Sequence, residues 1–163
     1  MTYLIYVGFI LILIFGSVIL FGAPYLPTLK NQIDSIFELL DLRKGQTMIE
    51  LGSGDGRILL EAGKRGIKAI GYELNPILVM YSRIKVYKYR GTVKVIWGNY
   101  WVKDWPETDG IFVFLLDRYM QRLNKKVIQK YSKPINLVSF AFKIPDRKID
   151  SSKKGLFLYK YNQ

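Results

Sequence analysis

The sequence predicts an α/β chain: a mostly parallel sheet of about six strands with helices on both faces, behind one N-terminal transmembrane helix. Three observations carry that expectation. Residues 1–29 hold no Asp, Glu, Lys or Arg. From residue 47 onward short apolar runs alternate with helical stretches, the pattern of parallel strands joined by crossover helices. The first of those runs leads directly into a glycine-rich loop.

The apolar run comes first. From Tyr3 to Phe21 the chain reads YLIYVGFILILIFGSVILF, nineteen residues whose polar members are Tyr, Ser and Gly. At about 1.5 Å rise per residue such a helix spans roughly 30 Å, the hydrocarbon thickness of a bilayer. Tyr3, Tyr6 and Tyr25 lie near its ends, where amphipathic rings favour the interface. A buried core helix rarely runs this long without a charge. A cleaved signal peptide would want a basic region ahead of the run and a small-x-small site after it, where this chain has Gly22-Ala23-Pro24. Nothing basic precedes the span, while Lys30, Arg43 and Lys44 follow it. The expectation is therefore a single-pass membrane protein with its C-terminal domain on the cytoplasmic (or matrix-equivalent) side. Residues 1–23 form the anchor, 24–46 a linker and first helix, and 47–163 the α/β domain.

Pro24 and Pro27 stiffen the linker. Thr28 can cap a helix to about Leu42, with Ile33, Ile36, Phe37 and Leu40 at helical spacing and Gly45 beyond its end. Strands are expected at 47–51, 69–74, 93–99, 110–117, 136–144 and 155–161. Helices are expected at about 57–65, 76–89 (opened by Pro76) and 118–131.

Composition narrows the chemistry. The 163 residues are 50% hydrophobic, carry a formal charge of +12, and include no Cys and no His. That is enough chain for one domain with a proper core. The missing residue types exclude disulfides, thiolate or imidazole metal sites, a Cys nucleophile and the Ser-His-Asp triad. What remains is chemistry with little proton shuttling, or chemistry run by carboxylates, Tyr or Lys.

The first strand runs into Glu50-Leu51-Gly52-Ser53-Gly54-Asp55-Gly56-Arg57. Its glycines are spaced G-x-G-x-G, whereas a dinucleotide fingerprint would want glycine at position 57. A diphosphate would be served by free helix N–H groups; the carboxylate of Glu50 suits a ligand carrying positive charge. Glu73, seventeen residues after Gly56 at the end of the second strand, can accept hydrogen bonds from both hydroxyls of a ribose. The glycine loop alone would fit any tight βα turn. Together, Glu50, the loop and Glu73 resemble the S-adenosylmethionine site of class I methyltransferases. That resemblance implies a Rossmann-like class I methyltransferase sheet and S-adenosylmethionine as cofactor.

A narrower resemblance covers residues 23–149. APYLPTLKNQI, IELGSGDGRILLEAGKRG, GYELNPILVMYSR and VFLLDRYMQRLNKK look like the small membrane-anchored protein lysine methyltransferases, the family modifying the adenine nucleotide translocase and the ATP synthase c subunit. The resemblance implies that Glu50, Gly52, Gly54 and Gly56 hold the methionine portion of the cofactor and Glu73 its ribose, with Ser53 and Asp55 also in the cofactor-binding loop. Asn75 and Pro76 complete the second motif, or serve as helix cap and first turn. Tyr25, Pro27 and Thr28 match a pre-motif that would close over the cofactor. Asn99, where the family tends to show Asp, can still accept from the adenine amino group. Asp117 stands where relatives read roughly Phe-Gly-Val-Pro; it either orients the incoming amine or caps the helix behind it.

Methyl transfer from a sulfonium needs alignment more than acid–base work. Trp101 and Tyr119, with Tyr100 and Phe142, are candidates for an apolar substrate channel; each also suits the core. No Asn-Pro-Pro-Tyr or Asp-Pro-Pro-Tyr follows the fourth strand, which disfavours a planar base or amide nitrogen and leaves an sp³ amine. Arg83, Lys85, Lys88 and Arg90, and a second set from Arg118 to Lys133, form a basic surface. On an anchored domain that surface fits a lipid bilayer as partner better than nucleic acid, and an ordinary solvated face is the plain alternative. The expected function is a membrane-anchored protein N-lysine methyltransferase acting near the bilayer on a membrane protein. Its rivals are methylation of a lipid headgroup or small-molecule amine, and a non-catalytic binding module. With six strands, the substrate face would be completed by the membrane, a second copy or the target.

Overall fold

The computed structural model describes residues 2–6, 8 and 30–162. Residues 9–29, which hold most of the expected anchor together with Tyr25, Pro27 and Thr28, lie outside the described residues. Among the described residues no helix is long and apolar enough to cross a membrane.

Helix α1 (Lys30–Leu40) leads into strand β1 (Thr47–Leu51); α2 (Arg57–Lys64), β2 (Lys68–Glu73), α3 (Pro76–Lys85) and β3 (Val93–Trp97) follow. A 3₁₀ turn at Tyr87–Tyr89 connects α3 to β3. The second half comprises β4 (Gly110–Val113), α4 (Asp117–Lys130), β5 (Ile135–Phe140), β6 (Ser151–Lys153) and β7 (Leu156–Tyr161). The strands form one sheet in the order β3-β2-β1-β4-β5-β7-β6. β1 to β5 run parallel, and β7 is antiparallel to both its neighbours. The chain order reverses at β1, between β2 and β4, where open α/β sheets open a crevice at their carboxyl ends.

The sheet thus has seven strands, not six. β6 escaped detection because Ser-Ser-Lys is polar and exposed throughout and shows no apolar alternation. Its signal lies in the turn instead: Lys154 and Gly155 both take positive φ (51° and 76°), the geometry of a tight two-residue hairpin. No outside element is needed to complete the sheet. Three expected ends also move. β3 stops at Trp97 because Gly98 swings to φ 137° and turns its N–H onto the Glu73 carbonyl. β4 stops at Val113, and the extended Leu116 caps α4. β5 stops at Phe140 because Ala141 takes φ 67°.

Period-2 alternation divides the core. Met48, Ala69, Val93, Val95 and Phe112 face α1, α2 and α3. Ile49, Leu51, Tyr72, Ile111 and Val113 face α4 and the segment carrying Trp101 and Trp105. Glu50 and Glu73 share the parity of the first set, so both carboxylates rise on the α1–α3 side, at the carboxyl ends of adjacent strands.

Candidate active site

The loop between β1 and α2 is shaped by three glycines in the left-handed region: Gly52, Gly54 and Gly56. They serve different ends. A Cβ on Gly52 would meet nothing within 4 Å, so that position opens onto free space at the strand ends. A Cβ on Gly56 would collide with the Ser82 Oγ, so this glycine lets α2 start against α3. Gly71, on β2 beneath the loop, also permits a close approach, since a Cβ there would collide with Leu59 and lie 2.7 Å from Ser53. The need for glycine at position 71 is not visible in the sequence, because it depends on how closely the loop settles on the neighbouring strand.

Glu73 is buried and staples the loop. Its Oε2 accepts the Gly54 N–H at 2.8 Å and its Oε1 accepts the Asn75 N–H at 2.8 Å. Each oxygen keeps a lone pair for a further donor. Asn75 caps α3, with its Oδ1 accepting from Ile77 N (2.9 Å) and Leu78 N (3.4 Å), and Pro76 takes the first turn. Asp55 accepts from Arg57 Nε at 2.9 Å and from the Lys85 ammonium. Burial pushes the Asp55 carboxyl up, but the bonds from Arg57 and Lys85 outweigh it and hold the group below the usual range. Lys85 reaches in from the last turn of α3; in the sequence it shows only as part of a basic surface.

Glu50 stands apart. It is 4% exposed, and its Oε2 is buried with no hydrogen-bond partner. Burial first, then the Asp55 and Glu73 carboxylates, push its pKa well above the ordinary value; Arg57 opposes them. The Ser53 Oγ is also buried and unpartnered. Buried polar atoms without partners are rare; Ser82 Oγ and Trp101 Nε1 are the others among the described residues, and only Glu50 and Ser53 stand beside the open space at Gly52. A cationic donor is the partner these atoms lack, and Gly52 leaves the space open for it.

On the opposite side of the strand ends lies an aromatic cluster. Tyr100 and Trp101 approach to 4.9 Å between ring centroids, and Trp101 and Tyr119 to 6.0 Å. The Arg122 guanidinium sits 4.3 Å over the Trp101 ring. Burial first, then Tyr119, pushes the Tyr100 hydroxyl up; Arg122 opposes the shift and Glu73 adds to it. The Asn99 Oδ1 accepts the Trp101 N–H at 2.9 Å and sets the turn that carries both rings. Lys126, from α4, clamps the same turn, its Nζ donating to the carbonyls of Tyr100 and Trp101, each at 3.0 Å. Asp117 is the first residue of α4, exposed, and Leu116 rather than Asp117 is the cap. Phe142 packs at the edge of the same core.

A parallel sheet reversing at β1, a glycine loop after that strand, a carboxylate ending β1 with a buried oxygen unpaired, and a second carboxylate ending β2 define a class I S-adenosylmethionine-dependent methyltransferase fold. An RNA methyltransferase from Salinibacter ruber, solved with S-adenosyl-L-homocysteine, superposes with a TM-score of 0.76 at 27% identity, covering 83% of this chain and 92% of that one. Residues 50–151 match the ANTKMT methyltransferase domain, and the chain belongs to that family. It is 32% identical over 124 residues to the human lysine N-methyltransferase of the ATP synthase c subunit, covering 75% of this chain and 53% of the relative. It is 33% identical over 125 residues to the mouse adenine nucleotide translocase lysine N-methyltransferase, with 75% and 54% covered. The chain spans about half the length of these curated relatives.

Proposed function

We propose that this chain is a membrane-anchored, S-adenosylmethionine-dependent protein N-lysine methyltransferase whose target lysine lies near the membrane surface. The observation that carries the reading is the pair Glu50 and Glu73 around the glycine loop: an unpaired buried carboxylate for a cationic group, beside a carboxylate with free lone pairs for a ribose. The relatives' names supply the acceptor class, lysines of the ATP synthase c subunit and of the adenine nucleotide translocase. The nineteen-residue apolar run from Tyr3, followed by Lys30, Arg43 and Lys44, supports anchoring with the domain on the cytoplasmic or matrix-equivalent side.

When bound, S-adenosylmethionine supplies an activated methyl group. The chain's own residues bind the cofactor, wall the acceptor channel and orient the amine. Glu50 and the loop would hold the amino-acid end and Glu73 the ribose; Asn99, whose Oδ1 also accepts the Trp101 N–H, can accept from the adenine amino group with its second lone pair. Tyr100, Trp101 and Tyr119 form the wall along which an amine arrives. Arg122 over Trp101 disfavours a second positive charge there, so it lowers the proton affinity of an incoming lysine and favours the neutral nucleophile. Asp117, exposed at the start of α4 beyond the carboxyl end of β4, can accept a hydrogen bond from that amine and fix its approach.

The test is transfer of labelled methyl from S-adenosylmethionine into native membranes, comparing wild type with Glu50→Gln. Label in one protein band, recovered as methyllysine and lost in the variant, supports the reading. Label in the lipid extract or in RNA instead would replace the acceptor class.

A further inference from the structure

Helix α3 reads Pro-Ile-Leu-Val-Met-Tyr-Ser-Arg-Ile-Lys, apolar almost all the way round. Such a helix belongs in an interior. Only one side of it is buried, by Val79 and Ser82 against the sheet. Its outer face is exposed: Ile84 at 70%, Met80 at 62% and Tyr81 at 53%, continued by Tyr87 at 63% beyond its end. Trp97, 58% exposed at the end of edge strand β3, shares the sheet side of Val93 and Val95 and donates its indole N–H to the Leu74 carbonyl just ahead of α3. The Lys85 ammonium lies 4.7 Å over the Tyr81 ring and the Arg90 guanidinium 4.5 Å over the Tyr87 ring, yet all five side chains stay more than half exposed. They form a ridge on the outer face of the helix with aromatic rings at both ends.

The charge around the ridge has one sign. Between Glu73 and Asp104 the chain contains no acidic residue in thirty positions and six basic ones. Arg83, Lys88 and Arg90 are exposed along the ridge, while Lys94 is exposed on the other face of β3. Long apolar side chains on an outer helix face, rings that are apolar with a polar tip, and a basic flank without a carboxylate match a headgroup interface. A stacking surface for RNA would be built of rings alone, whereas here the aliphatic Met80 and Ile84 are the most exposed large hydrophobic side chains of the helix and favour acyl chains over bases.

We propose that the outer face of α3, with Tyr87 and Trp97, lies in the interface of an anionic bilayer and sets the orientation of the domain on the membrane. This deepens the membrane-held reading above and rests on it. Because Trp97 ends β3 beside the cofactor-side strand ends, this contact brings the mouth of the site close to the headgroups.

Trp97 is the natural reporter, since Trp101 and Trp105 are buried. The full chain is reconstituted into vesicles of phosphatidylglycerol and phosphatidylcholine carrying brominated acyl chains, with flotation measured in parallel. Quenching of most of the Trp97 emission, absent in Trp97→Phe, reduced in vesicles of phosphatidylcholine alone, and lost in Met80→Glu/Ile84→Glu while flotation persists, is the expected result. Flotation without Trp97 quenching overturns the docked face but leaves the anchor. Failure to float overturns both. Self-association or RNA binding that is abolished by Met80→Glu/Ile84→Glu, with no quenching by lipid, assigns the ridge to another partner and also overturns the proposal.

Discussion

The Glu73 carboxylate accepts the Gly54 N–H at 2.8 Å, nineteen residues away in the chain, so the residue proposed for the ribose also fixes the loop proposed for the methionine end. The same side chain accepts the Asn75 N–H with its other oxygen. Truncating it therefore leaves two buried N–H groups without partners. Glu73→Ala is expected to lower stability by about 2 kcal/mol or more even without cofactor, at roughly 1–3 kcal/mol per unpaired group. Thermal unfolding of the unliganded protein checks this. An unchanged midpoint would mean that the staple is dispensable and that Glu73 serves the ligand alone.

Glu50 makes stability depend on pH in a definite direction. The folded chain keeps its proton above the ordinary carboxylate range of about 4.3, whereas the unfolded chain releases it there. The native state then binds more protons, and stability falls as pH rises from that range through the raised pKa. Glu50→Gln should flatten this slope. Asp55, held below the usual range, acts with the opposite sign and at lower pH: its contribution is present above about 3.9 and is lost on further acidification. Denaturant titrations across pH separate the two.

The same Glu50 carboxyl predicts proton release on binding. A cationic group arriving at Glu50 favours its ionised form. S-adenosylmethionine affinity should therefore rise with pH over the window in which unliganded Glu50 titrates, and the calorimetric enthalpy should vary with the buffer's ionisation enthalpy. In Glu50→Gln both effects disappear together with most of the affinity.

Two glycines of the loop should respond differently to alanine. At Gly56 the new methyl meets Ser82 and the φ of 73° is unfavourable, so Gly56→Ala should destabilise the fold by about 2–3 kcal/mol and be partly rescued by Ser82→Gly. At Gly52 only the backbone cost of about 1–2 kcal/mol applies, because the methyl enters open space. That space is where the proposed site would take its ligand, so Gly52→Ala should lose binding far more than stability. Paired unfolding and binding curves read both quantities.

Asp117 offers a cleaner test of the acceptor side than its sequence position suggests. It makes no side-chain cap and is exposed, so Asp117→Asn should change stability by less than about 1 kcal/mol, the scale of a charge at a helix N-terminus. A fall in kcat with unchanged cofactor affinity would then be read as a role toward the amine. Full turnover would remove Asp117 from the mechanism.

The parallel half of the fold was legible because buried strands and crossover helices leave contiguous apolar runs, and because Glu50, the loop and Glu73 fall at strand ends that periodicity locates. The β6 hairpin was not, since a short exposed strand has no apolar signature and is held by its turn. Strand ends also shifted: Gly98 and Ala141 leave the sheet through positive φ, and alanine gives no warning of that. At the site, residue types located the glycine loop and the two carboxylates at the strand ends, but Lys85 on Asp55, Lys126 on the Tyr100 carbonyl and the closeness of Gly71 to Ser53 are contacts across distant positions. Only the folded chain displays them.

Arg83 donates through Nε and Nη2 to the Val95 carbonyl at 3.2 and 3.0 Å, and so occupies an acceptor on the outer edge of β3. The opposite edge is β6, three residues long, polar and exposed. One border of the sheet is plugged by a guanidinium and the other is too short to template a partner, two ways in which natural sheets avoid lateral growth. Among the described residues neither edge invites a target polypeptide as an added strand. On the function proposed above, a target would be recognised by what it inserts at the carboxyl ends, one side chain reaching past Trp101 and Tyr119, while its own backbone keeps whatever fold or membrane setting it already has.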